Sequence, residues 1–227
     1  MKEADEILRK LKSISNSKAI EGMARFGINS KNTYGVSIPN IRKMSREAGA
    51  NHELAQELWK SGVHEARILA CMVDDPEMVT EKQLESWVLD FDSWDVCDQC
   101  CSNLFDKTEF AHEKAVELSR RKEEFVKRTG FVLMAALAVH DKGARDEEFL
   151  KFLPIIKREA GDERNFVKKA VNWALRQIGK RNQTLNKAAV KTANEILEID
   201  SRSAKWIASD ALRELTSHAV RKKLKST

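Results

Sequence analysis

Apolar residues recur along this chain at intervals of three and four, the spacing that gathers them on one face of an α-helix. Ile7, Leu8, Leu11 and Ile14 form the first such stripe. The repeated pattern predicts helices at about Ala4–Ile14, Lys18–Phe26, Ser37–Gly49, His52–Lys60, His64–Val73, Glu81–Phe91 and Trp94–Phe105. It continues through Phe110–Arg120, Glu124–His140, Glu147–Ala160, Arg164–Lys180, Leu185–Ile199 and Ala204–Thr216. Residues 27–37 read as a loop, and Pro39 falls where the first turn of a helix accepts proline. No long run alternates apolar with polar, so strands are not expected. Only Pro39, Pro76 and Pro154 and nine glycines interrupt the chain.

Helices joined by short connections, in pairs of about 35–40 residues, predict an all-α solenoid of helical-hairpin repeats. A compact helical bundle is the alternative. The run Phe125–Val139 is apolar nearly all round, which predicts a helix buried on more than one side. No linker rich in Gly, Pro or Ser divides the 227 residues, so a single domain over 1–227 is expected, with a basic tail at about 219–227.

Charge adds an asymmetry to this pattern. Residues 1–163 carry 25 Lys and Arg against 30 Asp and Glu, whereas residues 164–227 carry 15 against 5. The basic C-terminal third suits a polyanion, or else a solvated helical surface. The N-terminus lacks the apolar stretch of a signal peptide and no apolar run is long enough to span a membrane, so a cytoplasmic protein without a membrane partner is expected. Cys97, Cys100 and Cys101 share one helix with no second Cys pair, so buried thiols are expected rather than a zinc site, and no metal is expected elsewhere. Nucleotide-binding glycine motifs, metalloprotease motifs and nucleophile elbows are missing.

Three segments could carry chemistry. In Trp94-Asp-Val-Cys-Asp98 the tryptophan and the second aspartate lie four apart and share a helix face. Asp95 suits the helix dipole, while Asp98 is either a salt-bridge partner or a functional acid. Arg128 opens the most apolar helix and needs an anion, either a carboxylate or a phosphate. Lys169, Trp173, Arg176 and Lys180 form a second stripe beside the core face of their helix. That stripe suits a nucleic-acid backbone, or a tryptophan wedged between helices with cations snorkelling round it.

In order and spacing, several motifs resemble the DNA alkylation repair family, the HEAT-like repeat alkylpurine DNA glycosylases. They are Met23-Ala-Arg-Phe26-Gly-Ile, Gly35-Val-Ser-Ile-Pro-Asn-Ile-Arg-Lys, Glu57-Leu-Trp59, His64-Glu-Ala-Arg67, Ser93-Trp-Asp-Val-Cys-Asp98, Phe125-Val-Lys-Arg128 and Val167-Lys-Lys-Ala-Val-Asn-Trp173-Ala-Leu-Arg176. The resemblance runs from about Ile20 to Leu215. It implies HEAT-like repeats with a concave basic face on duplex DNA. It also implies a catalytic group of Trp94, Asp98 and Trp173, with Arg128 holding a phosphate. Phe26, a DNA-contacting position, stands where some members have tyrosine, and Ser93 replaces a second aromatic. A monomer acting on alkylated duplex DNA without a cofactor follows, and an enclosing base pocket does not. Two rivals remain: a non-catalytic module that binds DNA of altered shape, and a protein-binding scaffold.

Overall fold

The computed structural model describes residues 2–225, and every regular element among them is helical. The chain forms two compact units, one ending at Thr108 and one beginning at Glu109.

The first unit holds α1 (Lys2–Ser13), α2 (Ser17–Arg25), α3 (Ile38–Ala48), α4 (His52–Lys60), α5 (His64–Val73), α6 (Glu81–Leu89) and α7 (Trp94–Asn103), then a 3₁₀ turn at Phe105–Lys107. Local chemistry sets several starts. The side chains of Asn16, Asn51 and Thr80 accept hydrogen bonds from the backbone N–H groups of Ala19, Leu54 and Gln83. Helix α5 is the centre of this unit, packed against α3, α4 and α7. Trp59 and Trp87 stack with ring centroids 4.0 Å apart, and the Trp59 Nε1–H donates to Asp90 Oδ2. Such a ring pair adds about 0.5–1.5 kcal/mol to what burial alone gives.

The loop before α3 is tied to α5 by a buried anion. The Glu65 carboxylate accepts the backbone N–H groups of Tyr34, Gly35 and Val36, at 2.6 Å for Gly35. Gly35 has φ +73°, and a Cβ there would lie 2.3 Å from the Asn16 carbonyl oxygen. A side chain would therefore push this turn off the carboxylate that anchors it.

The second unit holds α8 (Ala111–Leu118), α9 (Glu124–His140), α10 (Asp146–Leu150), α11 (Phe152–Glu159), α12 (Asn165–Gly179), α13 (Gln183–Leu197), α14 (Arg202–Leu215) and α15 (His218–Lys225). Helix α9 packs on both α8 and α12, and all residues from Arg128 to Ala138 are buried, as its all-round apolar character predicts. Gly130 permits the α8 contact: a Cβ there would sit 2.4 Å from the Ser119 backbone nitrogen. Helix α12 also contacts α13 and α14.

Two expectations change. The segment read as one helix over Glu147–Ala160 is two, α10 and α11. Pro154 has no N–H to offer the carbonyl of Leu150 and its ring crowds that carbonyl, so the helix is interrupted between them. The basic stretch read as a tail from about 219 is mostly α15. Its Leu224 side chain is buried and the Leu224 carbonyl accepts from Gln183 Nε2, which gives the segment a reason to order. Ser226 and Thr227, the end of the expected tail, lie outside the described residues. Among the described residues no helix is long and apolar enough to cross a membrane.

Candidate active site and nucleic-acid interface

In the first unit, α7 begins at Trp94 and carries Trp94 and Asp98 one turn apart, both half-buried. Ser93 precedes the helix but does not cap it with its side chain; its hydroxyl instead accepts the backbone N–H of Asn29. That bond ties the start of α7 to the loop after α2. A second tie follows. The Trp94 Nε1–H donates to the Phe26 carbonyl oxygen at 3.0 Å. The Phe26 side chain is 73% exposed, an unusual state for an aromatic ring. The start of α7 is thus fixed against the α2 terminus through Trp94, and Asp98 follows Trp94 one turn later on α7.

Asp95 does more than complement the helix dipole. Its Oδ2 lies 2.9 Å from His64 Nε2, and His64 is buried. Burial opposes the imidazolium, but the hydrogen bond and charge of Asp95, aided by Glu65 and Asp92, outweigh it and raise the His64 pKa. This pair and the Glu65 anchor were not read from the sequence. Their only trace was the motif His64-Glu-Ala-Arg67, of which Arg67 lies over the Trp59 ring and donates to the Asp90 carbonyl. Cys71, Cys97, Cys100 and Cys101 are buried thiols rather than disulfides, as expected. Burial pushes the Cys100 and Cys101 thiols well above their usual range, which makes them inert. Among the described residues no group of three or more His, Cys, Asp or Glu is placed to hold a metal ion.

In the second unit, Lys169, Trp173 and Arg176 lie on α12, with Lys180 at its C-terminal cap. Lys169 is exposed and Trp173 half-buried. The other two cations are engaged. Glu214 of α14 receives Arg176 Nη1 at 2.5 Å and Lys180 Nζ at 2.6 Å, and Asp210 lies 3.6 Å from Arg176. Sequence reading missed this network, although a signal existed: residues 164–227 contain only five acids, and two of them stand four apart on α14. The stripe is therefore a partly neutralised surface rather than three open cations.

Arg128 is 5% exposed and donates through Nη1 to the Phe166 carbonyl at the start of α12. Its guanidinium links α9 to α12 from a buried position, consistent with the need for a partner that its apolar surroundings impose. A third cation on α12, Lys168, lies 5.3 Å from the ring of Trp206, which is itself substantially exposed.

A family model described as DNA alkylation repair enzyme matches residues 7–215. Among solved structures, one is similar over 97% of this chain and 95% of its own, with TM-score 0.78 and 17% identity. It belongs to a new family of proteins related to the HEAT-like repeat DNA glycosylases with affinity for branched DNA structures. A designed armadillo repeat protein in complex with peptide (KR)4 is similar over 82% of this chain and 79% of its own, at TM-score 0.40 and 17% identity. No curated protein matches the chain. The fold is a HEAT-like repeat fold, and the chain belongs to the DNA alkylation repair enzyme family.

Proposed function

We propose that this protein is a DNA glycosylase that hydrolyses the N-glycosidic bond of cationic alkylated purines, such as N3-methyladenine and N7-methylguanine, in duplex DNA. The observation that carries the reading is the pairing of Trp94 and Asp98 on one turn of α7, beside the exposed Phe26. A purine alkylated at N3 or N7 is positively charged and departs as a neutral base, so no acid is needed to protonate it. One carboxylate then replaces the two that most glycosidic hydrolysis uses. As the C1′–N bond breaks, Asp98 stabilises the oxocarbenium-like sugar and orients the water whose oxygen bonds to C1′; that water's proton is passed to solvent. Trp94 offers its ring face to the cation, worth about 0.5–2 kcal/mol, and the family resemblance gives Trp173 an aromatic role of the same kind. Exposed Lys169 and Phe26 serve DNA contact directly, whereas Arg128, Arg176 and Lys180 do so where a phosphate displaces the Phe166 carbonyl or Glu214 that now holds them, and the protein acts as a monomer without metal or organic cofactor.

The deciding experiment is single-turnover incubation with duplexes that each carry one lesion. Release of N3-methyladenine and N7-methylguanine, with uracil and hypoxanthine retained, supports the reading, because the neutral lesions would leave as anions that nothing in the proposed site offsets. Release of uracil would overturn the mechanism. A second reading is a non-catalytic module for branched DNA, favoured by the affinity of the structurally similar protein for such DNA. It expects tight binding of a junction and no released base.

A further inference from the structure

The α12 stripe has a counterpart on α14. Lys169, Trp173, Arg176 and Lys180 are matched 33 residues later by Arg202, Trp206, Ser209 and Arg213, so each tryptophan follows one cation by four residues and precedes another by seven. The same offset carries core onto core. Val171, Ala174, Leu175 and Ile178 of α12 are buried, and so are Ala204, Ile207, Ala208 and Ala211 of α14. The two helices run parallel, because their contacts advance in step: Lys168 with Trp206, Asn172 with Ile207, Arg176 with Asp210, and Lys180 with Glu214. Parallel neighbours whose core positions share a register turn their remaining stripes to the same side. The second unit therefore carries two tryptophan-and-cation stripes next to each other.

The α14 stripe is the more open of the two. Trp206 is 42% exposed, whereas Trp173 is only partly so. Arg202, Lys205, Ser209 and Arg213 are exposed as well. Lys168 lies 5.3 Å from the Trp206 ring yet leaves much of the indole in water, an unfavourable state for so large an apolar surface. Three acids stand nearby. Asp200 pairs with Lys205 at 3.0 Å, Asp210 pairs with Arg213, and Glu163 accepts the Ser203 backbone N–H at the start of α14. The two ion pairs sit at the surface, where they contribute little and a phosphate can replace the carboxylate. An exposed indole set among cations fits a polyanion that also has apolar faces, as a nucleic-acid strand has in its sugars. We propose that α14 extends the DNA-contacting surface one repeat beyond α12, with Trp206 packed on a deoxyribose and Arg202 and Lys205 on the flanking phosphates. The proposal rests on the reading of α12 as a DNA-contacting helix.

The test is titration of the full-length protein with a fluorescently labelled undamaged duplex over a range of salt concentrations. Trp206→Ala is expected to weaken binding about three- to tenfold, the worth of covering the exposed part of an indole. The salt slope should stay that of the parent, because the ring neutralises no phosphate. Trp206→Phe keeps an aromatic ring and should retain more of the affinity. Arg202→Ala combined with Lys205→Ala should lower the slope by up to about 0.9 for each phosphate no longer neutralised. All three positions are exposed, so circular dichroism should show the helix content of the parent. Parental affinity in Trp206→Ala, or a parental slope in the double variant, overturns the proposal. A lower slope in Trp206→Ala would mean that the ring only positions Lys168, which also overturns the sugar contact. Lys169→Ala separates these outcomes from failure of the DNA reading. If it flattens the slope while the α14 variants match the parent, DNA lies on α12 without α14. If the parent shows no salt-dependent duplex binding, both stripes are left to a protein partner and the two readings fall together.

Discussion

The two units bury charge in different ways. In the first, the interior acids meet groups that are neutral or titrate near neutrality: Glu65 takes three backbone N–H groups, Asp95 takes His64, and Asp74 takes His52 and Gln83. In the second, most pairs join acids to permanent cations. Lys127 bridges Glu159 and Asp162, Arg164 holds Asp162, and Arg176 and Lys180 share Glu214. His112 with Asp141 is a histidine pair among the described residues there. The first unit therefore keeps local negative charge that its surroundings do not cancel, which suits stabilisation of a cation. The second spends much of its positive charge on its own carboxylates, so its count of Lys and Arg overstates the field it offers to DNA.

The largest effect should come from the proposed reacting group. Asp98→Asn is expected to keep duplex affinity and lower single-turnover base release about 10²-fold or more, the scale of losing one preorganised charge. Equal excision by the variant would remove the chemical role from the first unit.

Next in size is the Glu65 anchor. Glu65→Gln replaces an acceptor oxygen by a donor opposite three backbone N–H groups, and should cost about 1–3 kcal/mol of stability in urea unfolding. A midpoint unchanged from the parent would mean that the buried carboxylate does not hold the loop before α3.

A smaller change, of opposite sign, is expected in the second unit. Glu214→Gln frees Arg176 and Lys180, so affinity for undamaged duplex should rise several-fold. The salt dependence should steepen by up to about 0.9 log unit for each phosphate newly neutralised. Lys169→Ala should flatten it. If Glu214→Gln left both affinity and slope unchanged, the α12 stripe would not face DNA, and the protein-scaffold alternative would gain.

The smallest effect is on pH. His64 titrates above its ordinary value, so its pair with Asp95 stabilises fully below about pH 6.5 and is lost as pH rises through the folded pKa. The stability gap between the parent and Asp95→Asn should accordingly be widest near pH 6 and shrink toward pH 9. Burial draws the Glu159 and Asp162 carboxyls up, but the hydrogen bonds from Lys127, Arg158 and Arg164 outweigh it and both titrate low. Their contribution is present above the ordinary carboxylate range and fades only as pH falls through the lowered values. A gap that widened with alkali would reverse the assignment of charge to His64.

Helix positions were legible because apolar spacing is local: residues three and four apart meet on a helix whatever the rest of the chain does. The break before α11 was legible in principle, since Pro154 acts within one turn. Trp94 and Asp98 could be paired for the same reason, and the all-round apolar run of α9 announced its burial. The partners of the charged residues were not legible. Glu214 stands 38 residues from Arg176, Asp95 31 from His64, and Glu65 30 from Gly35. No periodicity links such positions, because helix packing alone decides which faces meet. The sequence by itself therefore determined the helices, the family and the residues able to do chemistry. Tertiary packing decided which cations were already neutralised and which partners held the buried acids: a charge acquires its meaning from what lies within a few ångströms of it.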